Sequence, residues 1–319
     1  MNDVLLAIGE ALIDFIPDKK ECEFDEVTAF SPKLGGAPAN VCGAYAALGG
    51  KARLLTQLGD DPFGHKILKE LAQYGIDTGC ISLTDKANTA LAFVSLGKKG
   101  ARTFSFYRKP SADMLYSREN VKKEYFENAY ALHFCSVSLG DFPMKEAHKA
   151  AIEFARAEGA MISFDPNLRF QLWESREALK KTVWEFIPLA DILKISDEEL
   201  LFLTGEEDVN KALDKLFVGN VKLVIYTCGG KGAMAFTKNA SSFRTARDVE
   251  VIDTTGAGDG FIGSFLWKLK DMGITADTLE KLTEKRLIGC LDFSNEFCTL
   301  SVMKHGAIAS YPNEVKILI

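Results

Sequence analysis

The sequence predicts an α/β fold in three layers: a central, mainly parallel sheet flanked by helices, with a small β-sheet set apart as a lid. Three observations carry this expectation. Short continuous apolar runs recur along the chain, each ended by glycine or a polar turn, as expected of strands covered on both faces. Stretches of helical spacing separate these runs, the alternation that builds parallel sheets. Between Thr89 and Arg108 the pattern changes to period two, which marks an antiparallel hairpin with one wet face.

Composition narrows the function. A chain of 319 residues, 47% hydrophobic and 26% charged, is that of a globular protein. No linker or internal repeat divides it, so residues 1–319 read as a single domain with lid segments at approximately 12–33 and 88–112. A net charge of −6 with no concentrated basic stretch argues against nucleic acid as a partner. No apolar run is long enough for a bilayer, and Met1 to Gly9 lack the features of a signal peptide, so a cytoplasmic protein with no membrane partner is expected. The seven cysteines form no C-x-x-C pair and are read as reduced and mostly structural. His65, His133, His148 and His305 share no metal-ligand spacing and are read as surface or packing residues.

In chain order, Val4 to Gly9 is a buried strand, followed by Asp14, either a solvated turn carboxylate or a holder of a polyol hydroxyl pair. Gly35-Gly36 would let backbone approach a ligand, and Asn40 offers both donor and acceptor, for a hydroxyl-rich molecule or as a helix cap. A strand from Ala52 to Thr56 and a helix from Gly64 to Tyr74 continue the alternation. The hairpin Leu91–Leu96, Gly97–Gly100 turn and Arg102–Arg108 supplies the lid, with the Glu23 to Ser31 stretch beside it. Strands at His133–Val137, Met161–Phe164, Ile192–Ile195 and Leu223–Thr227 complete the sheet, with a helix from Pro143 to Glu158. Ser196 to Glu199 fits a capping box, and Glu199 equally fits a carboxylate near hydrated Mg²⁺. Thr227-Cys228-Gly229-Gly230-Lys231-Gly232 is a glycine-rich turn after a strand, suited to nucleotide phosphates or to an ordinary hairpin.

The stretch Asp253-Thr254-Thr255-Gly256-Ala257-Gly258-Asp259-Gly260 runs into Ile262, Phe265, Leu266 and Leu269 at helical spacing. A helix starting near Ala257 leaves its first N–H groups without intrahelical partners, and its dipole favours an anion there. Asp259 then lies in the first turn, beside any phosphate so held. The spacing is neither Walker A nor the dinucleotide fingerprint, which counts against a nicotinamide dehydrogenase.

Together Gly35-Gly36-Ala37-Pro38-Ala39-Asn40 and Asp253 to Asp259 resemble the two signatures of the ribokinase-like (pfkB) carbohydrate kinases. Asp165-Pro166-Asn167-x-Arg169, Ser196 to Glu199 and Thr227-x-Gly229-x-x-Gly232 extend the likeness over nearly the whole chain. Gly9 to Phe15 and Phe106 to Leu115 look most like fructokinases. The resemblance implies a nine-stranded-type core with a lid, ATP as donor and a sugar held between them. It implies Asp259 as general base, and Gly256, Ala257 and Gly258 as a backbone anion hole. Asp14, Gly36, Asn40, Arg108 and Arg169 would bind the sugar, while Thr227, Gly229, Gly232, Gly258 and Asn295 would contact the nucleotide. Many relatives carry Asn where Ser196 stands, so Glu199 would meet Mg²⁺ through water. Asp253, Thr255, Ser301, Lys304, Gly306 and Ser310 fall at the positions of a monovalent cation, potassium in relatives. A homodimer through the lid is also implied.

The reaction so implied moves the γ-phosphoryl group of ATP to a hydroxyl of fructose, giving fructose 6-phosphate. Two alternatives stand beside it: a 2-keto-3-deoxygluconate kinase, with Arg108 or Arg169 facing the acid, and a non-catalytic sugar-binding protein on the same fold.

Overall fold

Val4–Ile8, here β1, lies inside the large sheet with all five residues buried, as its uninterrupted apolar run requires. The structure is a computed structural model that describes residues 2–19, 24–96 and 102–316. After β1 come β2 (Leu12–Pro17), β3 (Phe30–Gly35), α1 (Ala37–Ala47), β4 (Lys51–Gly59), α2 (Pro62–Gln73), β5 (Ile76–Asp77) and β6 (Ile81–Thr84). The hairpin strands β7 (Leu91–Leu96) and β8 (Arg102–Tyr107) follow, and the turn expected at Gly97–Gly100 lies outside the described residues. The alternation then resumes with β9 (Ala129–Cys135), α3 (Met144–Ala157), β10 (Met161–Asp165), α4 (Arg176–Phe186) and β11 (Ile192–Ser196). The chain ends with α5 (Asp197–Thr204), α6 (Val209–Leu216), β12 (Leu223–Thr227), β13 (Ala233–Phe236), β14 (Ser241–Arg244), α7 (Ala257–Asp271) and α8 (Glu284–Val302).

The large sheet runs β14-β13-β12-β11-β10-β9-β1-β4-β5, with β6 paired to the second half of β4. Neighbours are parallel from β12 across to β5, and β13 and β14 add an antiparallel edge. Among the described residues the sheet therefore has ten strands where the resemblance implied nine. Leu5 and Ala7 join one core with α1, α2, α7 and α8, and Leu6 and Ile8 join the other with α3 to α6. From β1 the chain goes to β4 on one side and later to β9 on the other. A crevice opens at their carboxyl ends, where strand order reverses.

The small sheet has the order β3-β2-β7-β8, with β2 and β7 parallel and the other pairs antiparallel. One face turns Leu12, Asp14, Phe104 and Phe106 to the crevice. The other face, expected to be wet, is aromatic: Phe15 stacks on Phe93 at 4.7 Å, and Phe30 and Tyr107 meet Phe93 edge-on at 5.3 Å each. The rings come from four strands, so no single strand's alternation reveals the cluster.

The strand expected at His133–Val137 runs Ala129–Cys135, and three further boundary shifts have a local cause. The strand expected to end at Thr56 runs on to Gly59, because β6 pairs with Thr56 through Gly59. The next helix starts at Pro62 rather than Gly64, since Asp61 caps it by accepting from the backbone N–H groups of Phe63 and Gly64 at 3.0 and 2.8 Å. The helix for which Asn40 was a candidate cap begins earlier, at Ala37, with Pro38 in its first turn, so Asn40 is a helical residue rather than a cap.

Candidate active site

Glycine sets the entry to α7. Gly256 is its N-cap at φ 72°, and a β-carbon there would sit 2.7 Å from both the Ala307 β-carbon and the Tyr311 hydroxyl. The approach is held by Asp253, whose Oδ1 accepts from the backbone and hydroxyl of Thr255 at 2.9 and 2.6 Å. Its Oδ2 accepts from the Gly306 N–H at 2.9 Å. Of the three N–H groups expected to form an anion hole, that of Ala257 donates to the Thr254 carbonyl at 3.1 Å. Those of Gly256 and Gly258 have no hydrogen-bond partner among the described residues, so they are the two available to an anion. The turn is tighter than a plain helix start, and that claims Ala257.

Two clefts meet on this turn. The first, of about 280 Å³, is lined by Thr227, Gly229, Gly232, Asn295 and Gly258, with Val251 and Val302 as apolar walls. It collects every residue expected at the nucleotide. The second, of about 100 Å³, is lined by Asp14, Gly36, Asn40, Arg169 and Asp259, together with Glu10 and Asn167. It collects the expected sugar residues except Arg108.

Arg108 is turned inward. Its Nε donates to Asp113 Oδ2 at 2.9 Å, its Nη1 to the Val137 carbonyl at 2.9 Å, and its Nη2 to Asp113 and to Ser138 Oγ. The Ser138 hydroxyl donates on to Glu10 Oε2 at 2.9 Å, and Glu10 Oε1 accepts the Ala37 N–H at 3.1 Å. A guanidinium only 6% exposed needs these partners to offset its lost hydration. The position expected to hold sugar instead braces the loop that carries Gly36, and Glu10 takes its place at the cleft.

Asp259 is 9% exposed, with each oxygen held by an amide: Asn40 Nδ2 donates to Oδ2 at 2.9 Å and Asn167 Nδ2 to Oδ1 at 3.3 Å. Burial pushes its carboxyl up to about 6, against the Asn40 hydrogen bond and the charges of Arg169 and Lys194, with Asp165 adding to the rise. Asn40 Oδ1 is buried without a partner and belongs to a side chain lining the sugar-side cleft.

Asn167 stands at φ 45° on a loop fixed by two buried carboxylates. Asp165 Oδ1 accepts the Asn167 N–H at 3.2 Å, and Glu199 Oε1 accepts the Leu168 N–H at 3.0 Å. Glu199 Oε2 also accepts the Ser196 N–H at 2.8 Å, and the Ser196 hydroxyl accepts the Glu199 N–H, so the capping box is present. Lys194 pairs with Asp165 at 2.7 Å. Behind the α7 turn, Ser301 and Ser310 join through their hydroxyls at 2.6 Å, and Lys304 N–H donates to the Ser301 carbonyl at 3.0 Å.

Glu10, Asn167 and Lys194 were not assigned roles from sequence. The signal for Lys194 was present, a charge inside the apolar strand Ile192-Leu193-Lys194-Ile195. His133 and His148 are buried and His65 and His305 exposed, and no cluster of metal-ligating side chains occurs among the described residues. Nor is any described helix long and apolar enough to cross a membrane. The six described cysteines are free thiols, and Cys22 lies outside the described residues.

A family model described as pfkB family carbohydrate kinase matches residues 2–314. The chain belongs to that family. This carbohydrate kinase is 38% identical over 318 residues to fructokinase-1 of Zea mays, covering 99% of this chain and 97% of the relative. Among solved structures, fructokinase with bound ATP from Xylella fastidiosa superposes with a TM-score of 0.90 at 34% identity, covering 98% of this chain and 96% of that one. Fructokinase from Vibrio cholerae O395, with fructose, ADP and a calcium ion bound, superposes at 0.85 and 31% identity, with the same coverage.

Proposed function

We propose that this carbohydrate kinase transfers the γ-phosphoryl group of ATP to a hydroxyl of fructose, giving fructose 6-phosphate. The observation that carries the reading is the shared wall between the clefts. Thr254, Ala257 and Gly258 line one, while Thr255, Gly256 and Asp259 line the other, so the chain turns from donor side to acceptor side within six residues. ATP in the larger cleft would point its γ-phosphate at the N-terminus of α7, and a sugar hydroxyl in the smaller one would meet Asp259.

Fructose as acceptor is supported by the Zea mays relative and by the fructose-bound Vibrio cholerae structure. Of the two arginines that could face an acidic sugar, Arg108 is turned inward and Arg169 alone lines the cleft. Asp14 and Asn40 are polar groups suited to hydroxyls, and the unpartnered Asn40 Oδ1 wants a donor such as a hydroxyl.

A carboxylate with its pKa raised to about 6 is still far too weak a base to form an alkoxide in advance. Asp259 therefore takes the proton late, which suits a loose transition state in which the nucleophile carries little charge until the new bond is well advanced. The N–H groups of Gly256 and Gly258 stabilise the phosphoryl oxygens. Magnesium, when bound with ATP, neutralises charge on its phosphates. Each oxygen of Glu199 already accepts one backbone N–H, which leaves it fit to hold water around the ion rather than to bind it directly. Asp253, Thr255, Ser301, Lys304, Gly306 and Ser310 gather behind the turn, where backbone oxygens would suit a potassium ion. The small sheet, closing as a lid, would exclude water from the phosphoryl group.

ADP release from Mg-ATP against fructose, 2-keto-3-deoxygluconate, ribose and glucose, with and without K⁺, tests the reading. Turnover on fructose is expected. Preference for the keto acid would overturn the substrate, and sugar binding without ADP release would make the protein a binding module.

A further inference from the structure

Lys194 has a place in the fold that its ion pair only half explains. It stands on β11, 5% exposed, on the sheet face covered by α7. One N–H of its ammonium donates to Asp165 Oδ2 at 2.7 Å, and no other hydrogen bond to it occurs among the described residues. Its Nζ lies 3.5 Å from where a β-carbon on Gly258 would be, so the head group faces the first turn of α7.

That turn is the positive end of a 15-residue helix and carries the available N–H groups of Gly256 and Gly258. A buried cation facing a helix N-terminus is unfavourable unless negative charge lies between them. Asp165 supplies that charge on one side and at the same time holds the Asn167 N–H. On the other side, an anion with several oxygens could accept from the ammonium and from both glycine N–H groups together. Burial works against the charge on Lys194, but Asp165 and Glu199 outweigh it and keep the ammonium protonated.

We propose that Lys194 is a catalytic residue that donates to the γ-phosphoryl oxygens during transfer, opposite the N–H groups of Gly256 and Gly258. The proposal rests on the kinase reading. In the step, the bond from the γ-phosphorus to the bridging oxygen breaks and its electron pair stays on ADP. The sugar oxygen bonds to the phosphorus, and the hydroxyl proton goes to Asp259. Lys194 gives up no proton and acts as a fixed charge on the moving group. Asp165 is the counter-ion of the ammonium and holds the loop of Asn167; an Asn side chain in its place still offers an oxygen to the ammonium, so Asp165→Asn keeps the aim of Lys194.

The test compares binding of Mg-ADP with that of a non-hydrolysable Mg-ATP analogue by calorimetry, alongside kcat for sugar-dependent ADP release. In Lys194→Met, Mg-ADP affinity should stay within about twofold, the analogue should weaken about tenfold or more, and kcat should fall about 10²- to 10³-fold, as for loss of one donor to a developing oxyanion. Because the single change leaves Asp165 unpaired, Lys194→Met/Asp165→Asn serves as a charge-balanced second variant, with Asp165→Asn alone as its baseline. Loss of the analogue-over-ADP preference in either Lys194 variant, with the preference kept in Asp165→Asn, supports the proposal. Preference retained without Lys194, or lost equally in Asp165→Asn, overturns it. The unmodified protein's sugar-dependent turnover reports separately on the kinase reading, so the two failures are distinguishable.

Discussion

Asn40 on α1 donates its side-chain amide to Oδ2 of Asp259 on α7 at 2.9 Å, so one residue lining the sugar-side cleft also aims the candidate base. The bond favours the ionised carboxylate, and the other end of the same amide is a buried acceptor without a partner. Asn40→Ala removes both. A hydrogen bond between neutral groups contributes about 0.5–1.5 kcal/mol, so KM for the sugar should rise about twofold to tenfold. The acid limb of the pH profile should also move upward. Steady-state kinetics from pH 5 to 8 measure both, and an unchanged limb would detach Asn40 from the base.

The pH dependence of the unmodified protein follows from the same carboxyl. Burial raises Asp259 to about 6, and only its ionised form can accept the hydroxyl proton. Activity should therefore climb with pH through about 6 and level off above it. A profile flat down to pH 4.5 would mean either that the carboxyl is not raised or that it is not the base.

Replacing Asp259 by Asn should lower kcat by roughly 10²- to 10⁴-fold with a modest change in KM. It should also stabilise the fold at neutral pH. An acid whose pKa is higher folded than unfolded binds more protons in the folded state between the two values. Its contribution is thus present at low pH and is lost as pH rises from the ordinary carboxyl value of 3.8 through about 6. At pH 8 the charged, buried Asp259 opposes folding, so Asp259→Asn should melt a few degrees higher there and gain less at pH 5. Thermal melts at the two pH values check the sign.

Much of this was legible in the sequence, and the gaps have physical causes. The α7 turn could be read because glycine and an acidic first-turn residue have local meanings, in backbone freedom and in the helix dipole. The mainly parallel central sheet followed from β-α alternation, whereas the strand order did not. Asn167 was harder to read, because its aim depends on two carboxylates, Asp165 and Glu199, that are distant from each other in sequence and meet only when β10 and β11 pair. The N–H of Ala257 is claimed by a tight turn that a helical count of residues does not show. The inward aim of Arg108 is not visible in the sequence because its partners Asp113, Val137 and Ser138 lie beyond its own hairpin.

Gly36 offers a test of backbone approach in the sugar-side cleft. Its φ is 108°, and an added β-carbon would sit 2.5 Å from the Glu10 carbonyl oxygen and 2.9 Å from the Ala11 α-carbon. Both neighbours are backbone and cannot swing aside. Gly36→Ala should cost about 1–3 kcal/mol from the dihedral alone, and more from the contact. A lower melting temperature together with a raised sugar KM is the expected result. Normal stability would show that the loop can relax without that close approach.

Arg108 and Arg169 separate a structural cation from one at the ligand. Arg108→Met leaves Asp113 and Glu10 as buried carboxylates without their cation, which typically costs about 3–5 kcal/mol. The melting temperature should drop sharply, and Arg108→Met/Asp113→Asn should recover part of the loss. Arg169 is half-buried, lines the sugar-side cleft and donates to the Leu168 carbonyl at 3.0 Å. Arg169→Met should therefore raise KM for the sugar while leaving the melting temperature nearly unchanged. Melting curves and sugar titrations of the three variants decide the matter. If Arg108→Met folds normally and loses only sugar affinity, the guanidinium must leave Asp113 when sugar binds, and the role expected from the sequence would return.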